Sequence, residues 1–396
     1  MDKKIGVAVI FGFLITTGVP VVLSQTAGTR DPGLGELYST RPSMAQSQIE
    51  EFEEIVQSQK EQSQPLWAPI PEWAYGYDSQ PQPGDTASAP TPGNRAIQYG
   101  EDAEELARLL TLEGSSATFS RQEIRHAQDV IDWFPEDYPP MPDIIKYGPE
   151  ALRGEDPDWA CGSCHLPNGK ARPSNAATAG LPAAYQVQQM HDMRDGLRYS
   201  ADPRKPNSPT MNWLAAAMTD EEMQEAAEYF AEIPWTRWMY VVEADLIPEM
   251  HLEEGNMYVN AGTEAMEPLA GRIVESPVDE HQANYIRDPR SPWNVYVPVG
   301  SLAKGEELVA NGAGKTIQCG ICHGSDLMGL GAIPGIAGRS PSYMMRQLYD
   351  MKKGTRNGTG VALMKPVIAN LNVEDMTNIV AYLASIVPPP APNDVQ

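Results

Sequence analysis

Two copies of the pentapeptide Cys-x-x-Cys-His constrain this chain more than any other feature. They read Cys161-Gly-Ser-Cys164-His165 and Cys319-Gly-Ile-Cys322-His323, and they use all 4 cysteines among the 396 residues. This spacing ties a haem covalently to a polypeptide as a c-type haem. In each copy the two thiols become thioether bonds to the haem, and the adjacent imidazole is placed to be the proximal iron ligand. The sequence therefore predicts two covalent haem c groups, with the four cysteines as attachment points and His165 and His323 as iron ligands.

Two other uses of four cysteines compete with this interpretation. One is a four-cysteine zinc site, and the other is a set of paired redox thiols. Neither explains why a histidine follows the second cysteine in both copies.

The start of the chain has the pattern of an export signal. Lys3 and Lys4 precede an uncharged run over residues 5–23, which Ser24 and a polar, Pro-rich stretch follow. A run of 19 such residues is also long enough to span a bilayer as an uncleaved anchor. Residues 1–24 are therefore predicted to be a signal peptide or a membrane anchor. Haem attachment takes place outside the cytoplasm, so we expect the protein to lie in the periplasm, soluble or tethered to the inner membrane.

Length and composition suggest two or three domains joined by irregular segments. The chain contains 36 Pro and 33 Gly. Residues 25–100 carry much of the proline and are predicted to be a Pro-rich linker. Four aromatic residues within this linker are suited to pin part of it to a folded surface: Trp67, Trp73, Tyr75 and Tyr77. Residues 101–150 are predicted to be a helical N-terminal extension, with one or two helices over 102–131, and residues 235–298 to be an inter-domain strap.

Charge limits the class of partner. The formal net charge is -24, with 53 acidic and 29 basic side chains. Such a chain is an unlikely nucleic-acid binder, because the backbone of nucleic acid is itself an anion. The charge favours solubility and docking to a basic redox protein, whose approach it steers.

An internal repeat accompanies the two motifs. A shift of 158 residues carries Cys161 onto Cys319, and the same shift superposes Tyr185 on Tyr343, Gln189 on Gln347 and Arg198 on Arg356. After Arg198 the first copy has five extra residues, so that a shift of 153 then aligns Met211 with Met364 and Tyr229 with Tyr382. Matches at so many irregularly spaced positions indicate two copies of one domain.

The second alignment supplies candidate distal ligands, Met211 and Met364. A thioether suits haem iron, and His/Met ligation raises the reduction potential, as befits an electron carrier. Both methionines are expected in loops ahead of a final helix; the alternative is that they are ordinary core methionines. Met193 and Met351 also repeat, but they fall in an amphipathic pattern and are predicted to be core residues.

Helical patterns are clearest in the second copy. Apolar spacing predicts helices over residues 301–311, 341–353 and 373–386, the first with Ser301 as its cap. In the first copy Thr219 and the acidic residues after it predict the start of the closing helix, which Pro234 ends.

These features together resemble the class I cytochromes c, in particular their members with two domains and two haems. The resemblance covers about residues 155–234 and 301–388. It implies a mainly α fold in which each of two tandem cytochrome c domains, 151–234 and 299–390, is a small helical bundle around a covalent haem. It also implies that Gly305 on the first helix of the second domain lets Tyr382 on the last helix pack closely.

Three functional classes remain open. The first is a dedicated electron carrier between redox partner proteins, with an exported dehydrogenase as donor and a terminal oxidase or another cytochrome as acceptor. The second is the cytochrome subunit of an exported dehydrogenase complex, and the third is a two-haem peroxidase. A peroxidase needs an open iron position, against which the paired methionines argue. No Ser/His/Asp set, phosphate loop or dinucleotide fingerprint offers an independent catalytic centre, so the chain is expected to be a carrier rather than an enzyme.

Overall fold

The computed structural model describes residues 46–62, 69–87, 102–125, 130–153, 159–253 and 257–390. The predicted signal or anchor at 1–24 lies outside these residues, as does Trp67. Within the described ranges no helix is both long and apolar enough to cross a membrane.

The second copy of the repeat is helical, as its sequence predicts. Its helices are Ser301–Asn311, Gly320–His323, Pro341–Lys353, Lys365–Ile368 and Val373–Ser385, with short 3-10 turns at Gly312–Gly314 and Thr359–Leu363 and a two-residue strand pair, Gly329–Leu330 with Ile333–Pro334. Asn372 caps the last helix by accepting a hydrogen bond from the Asp375 amide. The predicted cap at Ser301 is wrong. Gly300, in the left-handed conformation, precedes the helix, and the buried Ser301 hydroxyl caps nothing.

The first and last helices of this copy cross at Gly305, which confirms the expected close approach. A Cβ atom built on Gly305 would lie 2.0 Å from the Asn378 carbonyl oxygen and 2.7 Å from the Tyr382 Cβ. Only a residue without a side chain fits between two backbones at this distance.

The first copy has the same closing elements but a different opening one. Its helices are Cys161–His165, Ala183–Arg194, Asn207–Ala217 and Asp220–Glu232. Thr219 and Glu222 form a capping box at the start of the closing helix, as the sequence predicts. The place of a long first helix is taken by the short helix Asp143–Tyr147 and the 3-10 turns Pro135–Asp137 and Glu150–Leu152. Tyr138 packs edge-on against Tyr229 of the closing helix, with 6.5 Å between ring centroids.

Part of the Pro-rich segment packs on the haem domains. The helix Gln46–Gln62 places Phe52 in a small apolar cluster with Trp213, and the helix Glu72–Tyr75 buries Trp73 and Tyr75. The Tyr75 ring meets Tyr349 edge-on at 6.5 Å, and the Tyr77 hydroxyl donates to the Arg204 carbonyl oxygen.

Two helices lie in 102–131, in agreement with the prediction of one or two, but strands that were not predicted lie between them. Helices Ala103–Ala107 and Arg121–Arg125 flank an antiparallel pair of strands, Leu109–Thr111 and Thr118–Ser120. Gly114, with φ 78°, lies in the turn between the strands. Phe119 packs edge-on against buried Trp133 at 4.8 Å, so strand pairing brings an aromatic residue into a local core that a helix would not.

The segment between the two copies contains a series of short β-strands. Its strands are Met239–Glu243, Leu246–Pro248, Met250–Glu253, Met257–Asn260, Met266–Pro268, Val274–Pro277 and Trp293–Val297, with a π-helical turn at His281–Tyr285. The last strand is central to a three-stranded sheet, parallel to Met239–Glu243 and antiparallel to Val274–Pro277. Its side chains alternate between buried and half-buried, as one covered sheet face requires. The Ser342 hydroxyl hydrogen-bonds the buried Glu275 carboxylate, which joins this segment to the second copy.

Candidate haem sites

Each Cys-x-x-Cys-His motif lies on a single helical turn that orients its histidine. His165 Nδ1 lies 2.8 Å from the Ala176 carbonyl oxygen, and His323 Nδ1 lies 2.8 Å from that of Pro334. A carbonyl oxygen only accepts, so Nδ1 carries the proton and Nε2 keeps the lone pair that a metal needs. The carbonyl stands eleven residues after the histidine in both copies. The same local geometry therefore presents the same ligand atom twice.

Burial keeps both imidazoles in the ligand form. It lowers the pKa of His165 and that of His323, against the opposing effect of the hydrogen bond to the carbonyl oxygen. Both rings are accordingly neutral near pH 7.

The thiols of Cys161 and Cys319 lack the lowered pKa of a reactive redox thiol. Burial, with a smaller effect of the neighbouring cysteine, raises the pKa of Cys161 to about 12 and that of Cys319 to about 11, whereas a reactive thiol has a lowered pKa. All four cysteines are free of disulfides. Across the part of the chain that the structure describes, no three His, Cys, Asp or Glu side chains converge on a possible metal position. Two thiols and one imidazole per turn instead fit covalent haem attachment.

The two candidate distal ligands lie in different secondary structure. Met364 lies between the 3-10 turn Thr359–Leu363 and the helix Lys365–Ile368, half-buried against the main core. Met211 lies within the helix Asn207–Ala217, so the expectation of a loop is wrong there. Pro209 falls in the first turn of that helix, where its missing N–H breaks no intrahelical bond. The ligand role of both methionines stays a prediction.

The other repeated methionines and the nearby His191 are engaged elsewhere. Met193 and Met351 pack against the main apolar core. His191 Nε2 lies 3.1 Å from the Asp220 carboxylate on the surface.

The repeat explains a contact between the two copies that was missed from the sequence. Arg198 and Arg356, equivalent residues, form an antiparallel backbone bridge. The Arg198 guanidinium donates to the Tyr343 hydroxyl at 3.0 Å and to the Gln347 side-chain oxygen at 2.9 Å. A residue of the first copy thus holds two residues of the second.

The contact is reciprocal. The Arg356 guanidinium donates to the Tyr185 hydroxyl at 2.9 Å and to the Gln189 side-chain oxygen at 2.8 Å. Because each copy supplies both the arginine and its acceptors, the arrangement is that of a pseudo-two-fold interface. The Tyr, Gln and Arg residues that match between the copies were the signal from which this interface could have been predicted.

A buried carboxyl group lies beside this interface. Asp350 accepts hydrogen bonds from the Tyr75 hydroxyl at 2.7 Å and the Ala201 amide at 2.9 Å, with the Arg346 and Arg198 guanidinium groups nearby. Burial outweighs these contacts and raises its pKa to about 6.

This raised pKa predicts a pH-dependent stability. At pH values between about 4, the ordinary pKa of a carboxyl group, and about 6, the pKa of Asp350 in the folded protein, the folded state binds more protons than the unfolded state. The free energy of unfolding therefore falls as the pH rises through this interval, and it no longer changes with pH above about 6. The contribution is on the order of 2 to 3 kcal/mol. Denaturant unfolding of wild type and Asp350→Asn from pH 4 to 7 should show a difference that changes by this amount, whereas Asp326→Asn, at an exposed site, should track wild type. Parallel curves for wild type and Asp350→Asn would contradict it.

Comparison with known proteins gives relatives of one kind. No family model matches the chain. It is 24% identical over 230 residues to the thiosulfate dehydrogenase electron acceptor of Stutzerimonas stutzeri, which covers 57% of this chain and 79% of that protein. It is 23% identical over 243 residues to cytochrome c4 of Pseudomonas aeruginosa, covering 60% and 89%. It is also 38% identical over 87 residues to cytochrome c-554(548) of Halomonas halodenitrificans, covering 22% and 96%.

Proposed function

We propose that each copy of the repeat attaches one haem. The chain belongs to the class I cytochromes c with two haems. Cys161 and Cys164 would hold the first, and Cys319 and Cys322 the second. The observation that carries this proposal is the repeated geometry of the two attachment turns, in which Nδ1 of each histidine is bound to a backbone carbonyl oxygen.

The protein is an electron carrier with two covalent haem c groups. Each bound haem supplies a reversible one-electron change at its iron. The chain's own residues orient and tune that centre. His165 and His323 present Nε2, Met211 and Met364 would offer thioethers as second ligands, and the Arg198 and Arg356 contacts hold the two domains at a fixed separation.

Redox partner proteins are the counterparts of such a carrier. We infer that the donor is an exported dehydrogenase, either as a separate protein or as a complex in which this chain is the cytochrome subunit. The similarity to a protein named as the electron acceptor of thiosulfate dehydrogenase supports this donor class. A terminal oxidase or another cytochrome would take the electrons on. The motifs and the charged start of the chain support a periplasmic location, with residues 1–24 as signal or anchor.

The haem count tests the attachment proposal. A pyridine haemochrome assay with intact mass should give two haems per chain, and the double variant Cys161→Ala, Cys164→Ala should keep one. Ser163→Ala, between the same cysteines, should keep two. The proposal would be wrong if the wild-type chain carried one haem, or if acid acetone extracted the haem, since covalently attached haem resists this extraction.

A further inference from the structure

The two attachment turns differ sharply in how far the rest of the chain covers them. Ser163 is 7% exposed, whereas Ile321, at the equivalent position, is 63% exposed. A Cβ built on Gly162 would lie 3.1 Å from the Val130 side chain and 3.2 Å from the Ile145 carbonyl oxygen. A Cβ on the equivalent Gly320 meets only its own loop, no closer than 3.8 Å. The N-terminal extension therefore packs on the Gly162 and Ser163 side of the first turn and leaves the equivalent side of the second turn open.

A second segment completes the cover over the first copy. The Arg287 guanidinium donates to the Ser163 carbonyl oxygen at 2.6 Å, and the Asn168 amide donates to the Pro289 carbonyl oxygen at 2.5 Å. Both contacts come from the stretch after the π-helical turn. This cover consists of residues outside both copies of the repeat.

The open turn of the second copy lies among exposed apolar side chains. Ile317 is 44%, Ile321 63%, Leu330 60% and Leu363 70% exposed. The hydrogen bond from His323 to Pro334 ties the strand pair that carries Leu330 to the attachment turn. A hydrogen bond from the Thr316 hydroxyl to the Val367 carbonyl oxygen, 2.6 Å, links the segments that carry Ile317 and Leu363. We call these four side chains the apolar rim; several exposed apolar side chains on linked segments indicate an interaction site.

The net charge of the second copy, which carries the apolar rim, differs from that of the chain as a whole. Residues 299–390 contain eight Lys and Arg and six Asp and Glu, a net charge of +2, against -24 for all 396 residues. The acidic excess therefore lies outside the second copy. The acidic excess therefore attracts basic proteins to other parts of the chain, and the second copy attracts them little.

We propose that the second copy is the port through which partners exchange electrons with this chain, and that the covered first copy exchanges them only with the second. The docking partner is a redox protein whose contact face is apolar and close to neutral, complementary to the apolar rim. One electron enters at the second copy and passes to the first, the partner delivers another, and an oxidant withdraws both by the same route. This inference rests on the attachment of one haem to each copy.

The test uses a blue copper protein with an apolar, near-neutral contact face as the probe, in stopped-flow oxidation of the reduced full chain. Two single-haem variants are compared: one with Cys161→Ala and Cys164→Ala, the other with Cys319→Ala and Cys322→Ala. The variant that keeps the second haem should be oxidised by the probe at close to the wild-type rate. The variant that keeps the first should react at least tenfold more slowly, although ferricyanide, a small ion, still oxidises it. Equal rates with the probe would overturn the proposal, whereas a chain that binds no haem at either motif would contradict the attachment proposal instead.

Surface variants test the port without removing a haem. Ile321→Asp and Leu330→Asp should each slow oxidation by the probe about tenfold, whereas Leu109→Asp, at a side chain 69% exposed on the N-terminal extension, should leave it unchanged. The wild-type rate should change less than twofold between low and physiological salt. Hydrogen-exchange mass spectrometry of the mixture should show protection at peptides containing Ile321 and none at those containing Gly162. Protection at the first copy, or a steep fall with salt, would place docking on another surface.

Discussion

Replacing Met364 with alanine is expected to change the spin state of one iron and leave the other six-coordinate and low-spin. A thioether is a strong-field ligand, and alanine offers no atom to replace it, so the affected site becomes high-spin or takes an exogenous ligand. The weak band at the red end of the spectrum, which marks methionine bound to ferric iron, should lose about half its intensity if both sites contribute equally. The reduction potential of the iron that loses Met364 should fall, because methionine ligation raises the potential. Optical spectra, electron paramagnetic resonance and a redox titration measure these effects.

Two further variants decide whether the assignment is right. Met211→Ala should remove the complementary half of the band. Met351→Ala, at a methionine packed against the apolar core, should leave the spectrum intact while it lowers stability. Unchanged spectra for both Met364→Ala and Met211→Ala would show that the distal ligands lie elsewhere, with Met193 and Met351 next to be examined.

The second copy could be predicted closely because several local signals agree there. Apolar spacing, the Asn372 and Asp375 capping box and the glycines at helix ends all favour the same boundaries, and the helix Pro341–Lys353 begins and ends where its pattern does. Agreement between levels of this kind makes a boundary readable from sequence alone. The attachment turns could be predicted equally well from the sequence, because haem chemistry fixes both the residue types and their spacing.

The missed features depend on partners distant in the chain. Phe119 lies in a strand because Trp133 receives its ring, and Arg198 finds its acceptors 145 and 149 residues away. Periodicity contains no record of such contacts, since it reports only which face of an element is apolar. The cover over the first attachment turn has the same character, because it is built from the N-terminal extension and from the segment between the copies.

Gly305→Ala is expected to destabilise the second copy more than Gly320→Ala, the exchange at the other glycine within its described α-helices. The added Cβ would lie 2.0 Å from the Asn378 carbonyl oxygen, a backbone atom that cannot rotate away. The two helices would have to separate, with a cost of about 3 kcal/mol or more. The better helix propensity of alanine returns only about 1 kcal/mol.

Gly360→Ala is the matched control for this clash. It adds the same methyl group where no heavy atom lies within 4 Å, in a backbone conformation that alanine accepts. Denaturant unfolding followed by helical circular dichroism and by haem absorbance should place the Gly305→Ala midpoint well below wild type and the Gly360→Ala midpoint close to it. Because Gly305 lies away from the attachment turn, haem content should stay at two per chain in any Gly305→Ala protein that folds. Equal midpoints for the two variants would mean that the helices are free to separate, and that their contact does not limit the stability of the second haem domain.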